Sequence, residues 1–281
     1  MPTTTGGGPT IYYETSGDPA DPPLIMVEGF TAQLVGWRED FLRGIVERGI
    51  FVIVFDNRDV GLSQQMGGDD LADAGYSLSD MAGDGFRVLD ALGLQRAHVA
   101  GQSMGGMIAQ RMAIEQPRRV RSLTLIYTAP AKGRYRVTQT LAQNFGAIPP
   151  RLPRQEAIAA QLEHEGISRS PAYDWDEAWA EHLAGLSFDR GYSPAGHVRQ
   201  YAAISRMGDN LPELEGLDVP AAIIHGRDDG HIRVDAALDM GRALRNSEVH
   251  IYPGMGHELV RPLWDEFAEI IARTVARGCR T

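Results

Sequence analysis

The chain has 281 residues, 43% of them hydrophobic and 23% charged, with a formal net charge of −10. That length suits one α/β domain with an insertion and allows a sizeable core. The acidic balance argues against nucleic acid or an anionic membrane as a partner, since both want a basic face. Lys132 is the only lysine, and the single cysteine, Cys279, excludes an internal disulfide. No apolar run reaches the roughly 18 residues of a membrane helix. Met1-Pro2-Thr3-Thr4-Thr5-Gly6-Gly7-Gly8 lacks the basic and apolar regions of a signal peptide, so the expectation is a cytoplasmic protein.

In chain order, Ile11–Thr15 reads as an early antiparallel strand, turned by Gly17-Asp18-Pro19. Leu24–Val27 is the next strand and ends at Glu28-Gly29-Phe30. A helix around Phe41–Arg48 leads to the apolar strand Phe51–Phe55. Ser77-Leu78-Ser79-Asp80 has the form of a capping box, opening a helix to Leu92 that Gly93 ends.

Ala97–Ala100 is again a strand, and Gly106–Ile114 a helix. Between them stands Gly101-Gln102-Ser103-Met104-Gly105. A serine between two glycines on a strand-to-helix turn is a nucleophile elbow: the turn strains the serine backbone, and only small neighbours fit beside it.

Leu123–Ile126 is the strand that follows. From about residue 131 the strand–helix alternation stops, and helical patterns appear over 154–165, 176–186 and 194–207 with no strand between. Trp175, Trp179, Tyr192, Tyr201 and Met207 lie there, either as packing or as pocket walls. Alternation resumes with the strand Pro220–Gly226, which opens into Arg227-Asp228-Asp229-Gly230. The strand Glu248–Tyr252 opens into Pro253-Gly254-Met255-Gly256-His257, and a helical pattern runs from Leu263 to Val275. Ser103, an aspartate and His257 thus follow one another in the order of this type of site, the latter two on loops after strands.

Those residues resemble the α/β-hydrolases with a serine nucleophile, and among them the branch of small esterases that includes aclacinomycin methylesterase. The closer likeness is carried by Phe55-Asp56-Asn57-Arg58-Asp59-Val60-Gly61-Leu62-Ser63, Ala32-Gln33-Leu34-Val35-Gly36-Trp37 and Gly254-Met255-Gly256-His257. It runs from about Ile11 to about Ala276 and is weakest over 131–211.

The resemblance implies a mostly parallel eight-stranded sheet with helices on both faces. Residues 1–130 and 212–281 would form the core domain and 131–211 a helical cap that shapes the pocket and excludes water. It implies Ser103 as nucleophile, His257 (ordinary pKa near 6.5) as general base, and a carboxylate behind the imidazole. Asp228 and Asp229 both stand where that acid belongs; alignment favours Asp229 and leaves Asp228 a solvated loop carboxylate, although the family commonly has Asp-Pro where this chain has Asp229-Gly230. The backbone N–H groups of Phe30 and Met104 would form the oxyanion hole, and Gly29, Trp37, Trp179 and Tyr201 are the pocket candidates. His231 reads as an exposed loop residue or a substrate contact, and His225 as strand-end packing.

One departure stands out. A histidine often precedes the glycine of the oxyanion loop, but this chain has Glu28, either as a structural hold on the loop or as a contact to a polar or cationic substrate. The expected activity is hydrolysis of a small or medium carboxylic ester, such as a methyl ester or lactone of an aromatic or polyketide-like metabolite, with no cofactor and no metal. C–C bond hydrolysis, amide hydrolysis and perhydrolysis use the same residues, and some proteins of this fold act as ligand receptors.

Overall fold

The computed structural model describes residues 2–137 and 147–280. Runs of apolar residues bounded by turns become strands buried on both faces. Phe51–Phe55 (β3) and Pro23–Val27 (β2) pair in parallel, and Tyr13–Ser16 (β1) closes the edge antiparallel to β3. Ala97–Gln102 (β4), Val120–Ile126 (β5), Ala221–Gly226 (β6) and Ser247–Tyr252 (β7) extend the parallel sheet in the order β1-β3-β2-β4-β5-β6-β7.

Alternate residues of each strand feed a core on either face. Ile25, Val27, Ile53 and Phe55 pack with the helices Leu78–Ala91 (α2) and Met104–Glu115 (α3); Leu24, Met26, Val52 and Val54 pack with Glu39–Val46 (α1) and Trp264–Gly278 (α9). The α2 helix begins with the expected capping box between Ser77 and Asp80.

The sheet has seven strands among the described residues, not eight. The N-terminal segment forms only the isolated bridge Thr3↔Tyr12 beside β1, and the Gly6–Gly8 run that follows offers no side chains to bury. The helix Asp235–Ala243 (α8) and the short turn Leu211–Leu214 (α7) are two elements beyond those that the sequence pattern indicates.

Because β3 lies on one side of β2 and β4 on the other, the chain reverses its direction of winding at the C-terminal ends of β2 and β4. A crevice forms at such a switch point. The loop after β2 carries Gly29 and Phe30, and the loop after β4 carries Ser103.

Between β5 and β6 the chain forms the helices Arg154–Glu165 (α4), Glu177–Gly191 (α5) and Pro194–Ser205 (α6); positions 138–146 of this insertion lie outside the described residues. Polar bonds tie it to the core at the loops after β2 and β3. Arg190 of α5 reaches Asp56 Oδ2 at 2.7 Å, and Gln200 of α6 accepts from Thr31 N and donates to Arg58 O, each at 2.9 Å. Arg199 of α6, 1% exposed, donates to Asp59 Oδ1 through Nε (3.0 Å) and Nη2 (2.7 Å), and through Nη1 to the carbonyls of Gly68 and Leu71. Asp59 takes a left-handed backbone (φ 73°), and its Oδ2 accepts from the Tyr76 hydroxyl at 2.8 Å.

Removing one partner of such a buried pair leaves an uncompensated charge, so Arg199→Ala is expected to cost about 3–5 kcal/mol by urea denaturation. Adding Asp59→Asn removes the stranded charge and should return part of that loss; a double variant as unstable as the sum of the two single ones would contradict this account.

Candidate active site

Ser103 stands between the last residue of β4 and the first of α3 with φ 53° and ψ −120°. Such a backbone costs of order 1–3 kcal/mol, and its surroundings hold it there. Ser103 N donates to Ile126 O at 3.0 Å, and Ser103 O accepts from Gly106 N, Met107 N and Thr128 Oγ1. The turn also brings α3 directly onto the sheet. A Cβ on Gly101 would run into the backbone of Gly105, and one on Gly105 into the carbonyls of Val27 and Glu28, which is why glycine stands at both positions.

The loops after β6 and β7 bring the other two groups to the serine. His257 Nε2 lies 2.9 Å from Ser103 Oγ, and His257 Nδ1 lies 2.7 Å from Asp229 Oδ2. Asp229 Oδ1 accepts from the N–H groups of His231 (2.7 Å) and Ile232 (2.9 Å), so both of its oxygens are engaged. Burial pushes the Asp229 carboxyl up, but the charge and hydrogen bond of His257, together with His225 and the Ile232 N–H, outweigh it and hold the group below its ordinary value.

Asp228 points elsewhere. Its Oδ2 accepts from Gly254 N at 2.6 Å and its N–H donates to Met255 O at 3.0 Å. It is a brace between the two loops rather than a merely solvated carboxylate.

His257 is also held from the insertion. Its N–H donates to Ser168 O at 2.8 Å, Gly256 N donates to Ser170 Oγ at 2.8 Å, and Ser170 N donates to Glu258 Oε1 at 2.6 Å. The Tyr127 ring packs 4.6 Å from the imidazole on one side and the His231 ring 4.8 Å from it on another. Burial, followed by the nearby His257, pushes the His231 pKa down to about 4, and its Nε2 lies 3.0 Å from Ser168 Oγ. His231 is therefore a half-buried wall of the site and not an exposed loop residue. His225 packs at the strand end as expected, with Nε2 3.0 Å from Ile232 O.

Ser103 and His257 open onto a cavity of about 430 Å³. Phe30 and Met104 border it beside Ser103, Met104 as the first residue of α3, and a Cβ on Gly29 would sit 3.4 Å from Ser103 Cβ. From the insertion, Trp179 and Tyr201 both reach the cavity. Trp179 carries the Arg38 guanidinium 4.4 Å above its ring, and Tyr201 packs 6.1 Å from Phe30. Trp175 and Tyr192 also line it, whereas Met207 packs on the core.

Trp37 does not reach the cavity. The 3₁₀ turn Leu34–Gly36 rotates it inward, where it is 3% exposed and stacked on Phe41, while its neighbours Gly36 and Arg38 face the cavity instead. His164 and His197 line the cavity as well, unremarked in the sequence because isolated histidines on helical patterns carry no signal of direction.

Glu28 has no exposed surface. Its Oε2 accepts from Gly29 N (2.9 Å) and from Gln102 Nε2 (2.5 Å), and burial lifts its pKa to about 7 against those two hydrogen bonds, with Asp56 adding to the rise.

The chain is similar to several known hydrolases. The chain is 37% identical over 128 residues to rhodomycin D methylesterase of Streptomyces peucetius, a stretch that covers 45% of this chain and 42% of that protein. It is 26% identical over 255 residues to a putative carbamate hydrolase of Variovorax paradoxus, covering 88% and 89% of the two. An esterase from a Rhodococcus species superposes with a TM-score of 0.77 at 22% identity, over 98% of this chain and 97% of that one, a likeness of fold. The alpha/beta hydrolase fold family matches residues 22–260, the whole span from β2 to the loop beyond His257, and to that family this chain belongs.

Proposed function

We propose that the chain hydrolyses a carboxylic ester by acyl transfer through Ser103. The observation that carries this reading is the unbroken relay Ser103 Oγ–His257–Asp229, at 2.9 and 2.7 Å, opening on a cavity of small-molecule size. His257 Nε2 takes the serine proton as Oγ attacks the ester carbonyl, then delivers it to the departing alkoxide. Asp229 fixes the proton on Nδ1 and stabilises the imidazolium. The N–H groups of Phe30 and Met104 receive the developing oxyanion, the second with the help of the α3 dipole. Water, activated by the same imidazole, releases the acid.

The helices α4–α6 act as a cap in this reading, and their aromatic residues form the acyl or alcohol wall. The rings of Phe30, Trp179 and Tyr201 suit an aromatic substrate. Together with the partial likeness to a methylesterase, they favour a methyl ester or lactone of an aromatic, polyketide-like compound.

Steady-state hydrolysis of a chain-length series of p-nitrophenyl esters and of aromatic methyl esters tests the reading. Ser103→Ala is expected to lower kcat by about 10³-fold or more; a rate indifferent to that substitution would end the proposal. In the same assay Asp229→Asn should lose about 10⁴-fold in kcat, while Asp228→Asn, which loosens a loop brace, stays within about tenfold of wild type. The reverse ranking would transfer the acid role to Asp228.

A further inference from the structure

The mechanism above leaves one fully buried ionisable group beside Ser103 without a role. Glu28 ends the segment from β2 into the oxyanion loop, and Gln102 is the residue before the nucleophile. One oxygen of Glu28 joins the two. Oε2 accepts from the N–H of Gly29 at 2.9 Å and from the side-chain amide of Gln102 at 2.5 Å, and the main-chain carbonyl of Glu28 is held by Asn57 Nδ2 at 3.0 Å. Gln102 Oε1 in turn accepts from the Tyr127 hydroxyl, whose ring packs against His257. The chain of contacts thus runs from the oxyanion loop through the elbow to the face of the base.

The other oxygen, Oε1, is buried with no hydrogen-bond partner among the described residues. It lies against Gly36, where a Cβ would come within 2.7 Å of it. A carboxyl group whose Oε2 accepts two hydrogen bonds while Oε1 has none is suited to carry its proton on Oε1.

We propose that Glu28, as a neutral carboxylic acid, is a positioning residue that clamps Gly29 to Gln102 and so sets the distance between the oxyanion loop and Ser103. This inference rests on the ester-hydrolase reading and adds to it a group acting through its neighbours rather than on the substrate.

Protonation has a consequence with a definite sign. With its pKa lifted to about 7 by burial, Glu28 is neutral on the acid side and anionic on the alkaline side. The tetrahedral intermediate places its negative charge at the loop that Glu28 holds, so ionised Glu28 opposes it. The surroundings offer little to cancel that charge. Asp56 adds to it but is paired with Arg190 at 2.7 Å. The Tyr127 hydroxyl, raised well above its ordinary value by burial and by Glu28, Glu258 and Asp229, stays neutral. Gln102, Asn57 and the turn Leu34–Gly36 bring no titratable group. The rate therefore falls as pH rises through neutrality.

The test is kcat and KM from about pH 5.5 to about pH 9 for wild type, Ser103→Ala, Glu28→Ala and Glu28→Gln, with thermal melts run alongside. Glu28→Ala should lower kcat by about 10- to 100-fold and move KM by less than about threefold. Glu28→Gln, which keeps an accepting oxygen and cannot ionise, should recover most of that kcat and lose the alkaline fall. A Glu28→Gln profile that keeps the wild-type alkaline fall overturns the proposal, as does a Glu28→Ala enzyme whose loss lies in KM. Should Glu28→Ala fail to fold, the Glu28→Gln profile alone decides. Absence of any Ser103-dependent turnover in wild type overturns the hydrolase reading and this inference with it; normal turnover with an unaltered Glu28→Gln profile overturns the clamp alone.

Discussion

Everything at this site depends on how closely α3 approaches the sheet. The helix starts one residue after Ser103, and its first turn lies against the carbonyl ends of β2 and β4, with no room for a side chain on Gly101 or Gly105. That contact forces Ser103 into its left-handed backbone and directs the N-terminus of α3 at the crevice. It also brings the loop after β2 so near the serine that a Cβ on Gly29 would sit 3.4 Å from Ser103 Cβ. A strand-to-helix turn with ordinary spacing would leave the hydroxyl lower and the N–H groups dispersed. The strain at one residue is thus the local expression of a packing distance that the whole doubly wound core maintains.

Around this point the molecule holds several charged side chains in its interior. Asp56, Asn57, Arg58 and Asp59 follow β3 in succession, and each is tied to a different part of the structure. Asp56 holds Leu34 N, Leu62 N and Arg190; Asn57 holds the Glu28 carbonyl; Arg58 pairs with Asp84; Asp59 pairs with Arg199. Replacing such pairs by apolar residues of the same volume is often neutral for stability. Directional pairs do something that apolar contacts do not: they fix the insertion and the loop after β2 in one mutual arrangement, because a shifted register would leave a buried ion without its partner.

Legibility in the sequence followed the range of the interactions concerned. Phe51–Phe55, apolar throughout and bounded by Gly49 and Asp56, appears as β3 with the same bounds, and Ser77 and Asp80 form the capping box that their spacing implies. The elbow was legible because its constraint lies within five residues, and Ser103 and His257 could be paired by chain order before any distance was known. Asp229 over Asp228 came from alignment; the physical distinction is that one faces the imidazole and the other the Gly254 N–H. Helix α8 left a faint stripe because three of its four buried side chains are alanines. Trp37 faces the core and not the expected pocket because the single 3₁₀ turn Leu34–Gly36 decides its direction. The bonds from Ser168 and Ser170 to the His257 loop involve a main-chain carbonyl and a hydroxyl far along the chain, and no local pattern marks them.

Those two serines bear on how this architecture can diversify. The segment between α4 and α5 not only walls the cavity but supplies acceptors to the backbone of Gly256 and His257. An insertion exchanged wholesale for that of another protein would remove part of the support of the imidazole together with the old pocket. The cavity lining is therefore freest to vary on the faces of α5 and α6 that carry Trp179 and Tyr201, and most constrained at residues 168–170. In this chain, the part that would select the substrate of the proposed reaction and the part that supports His257 are covalently one segment, and they can change independently only by single side chains.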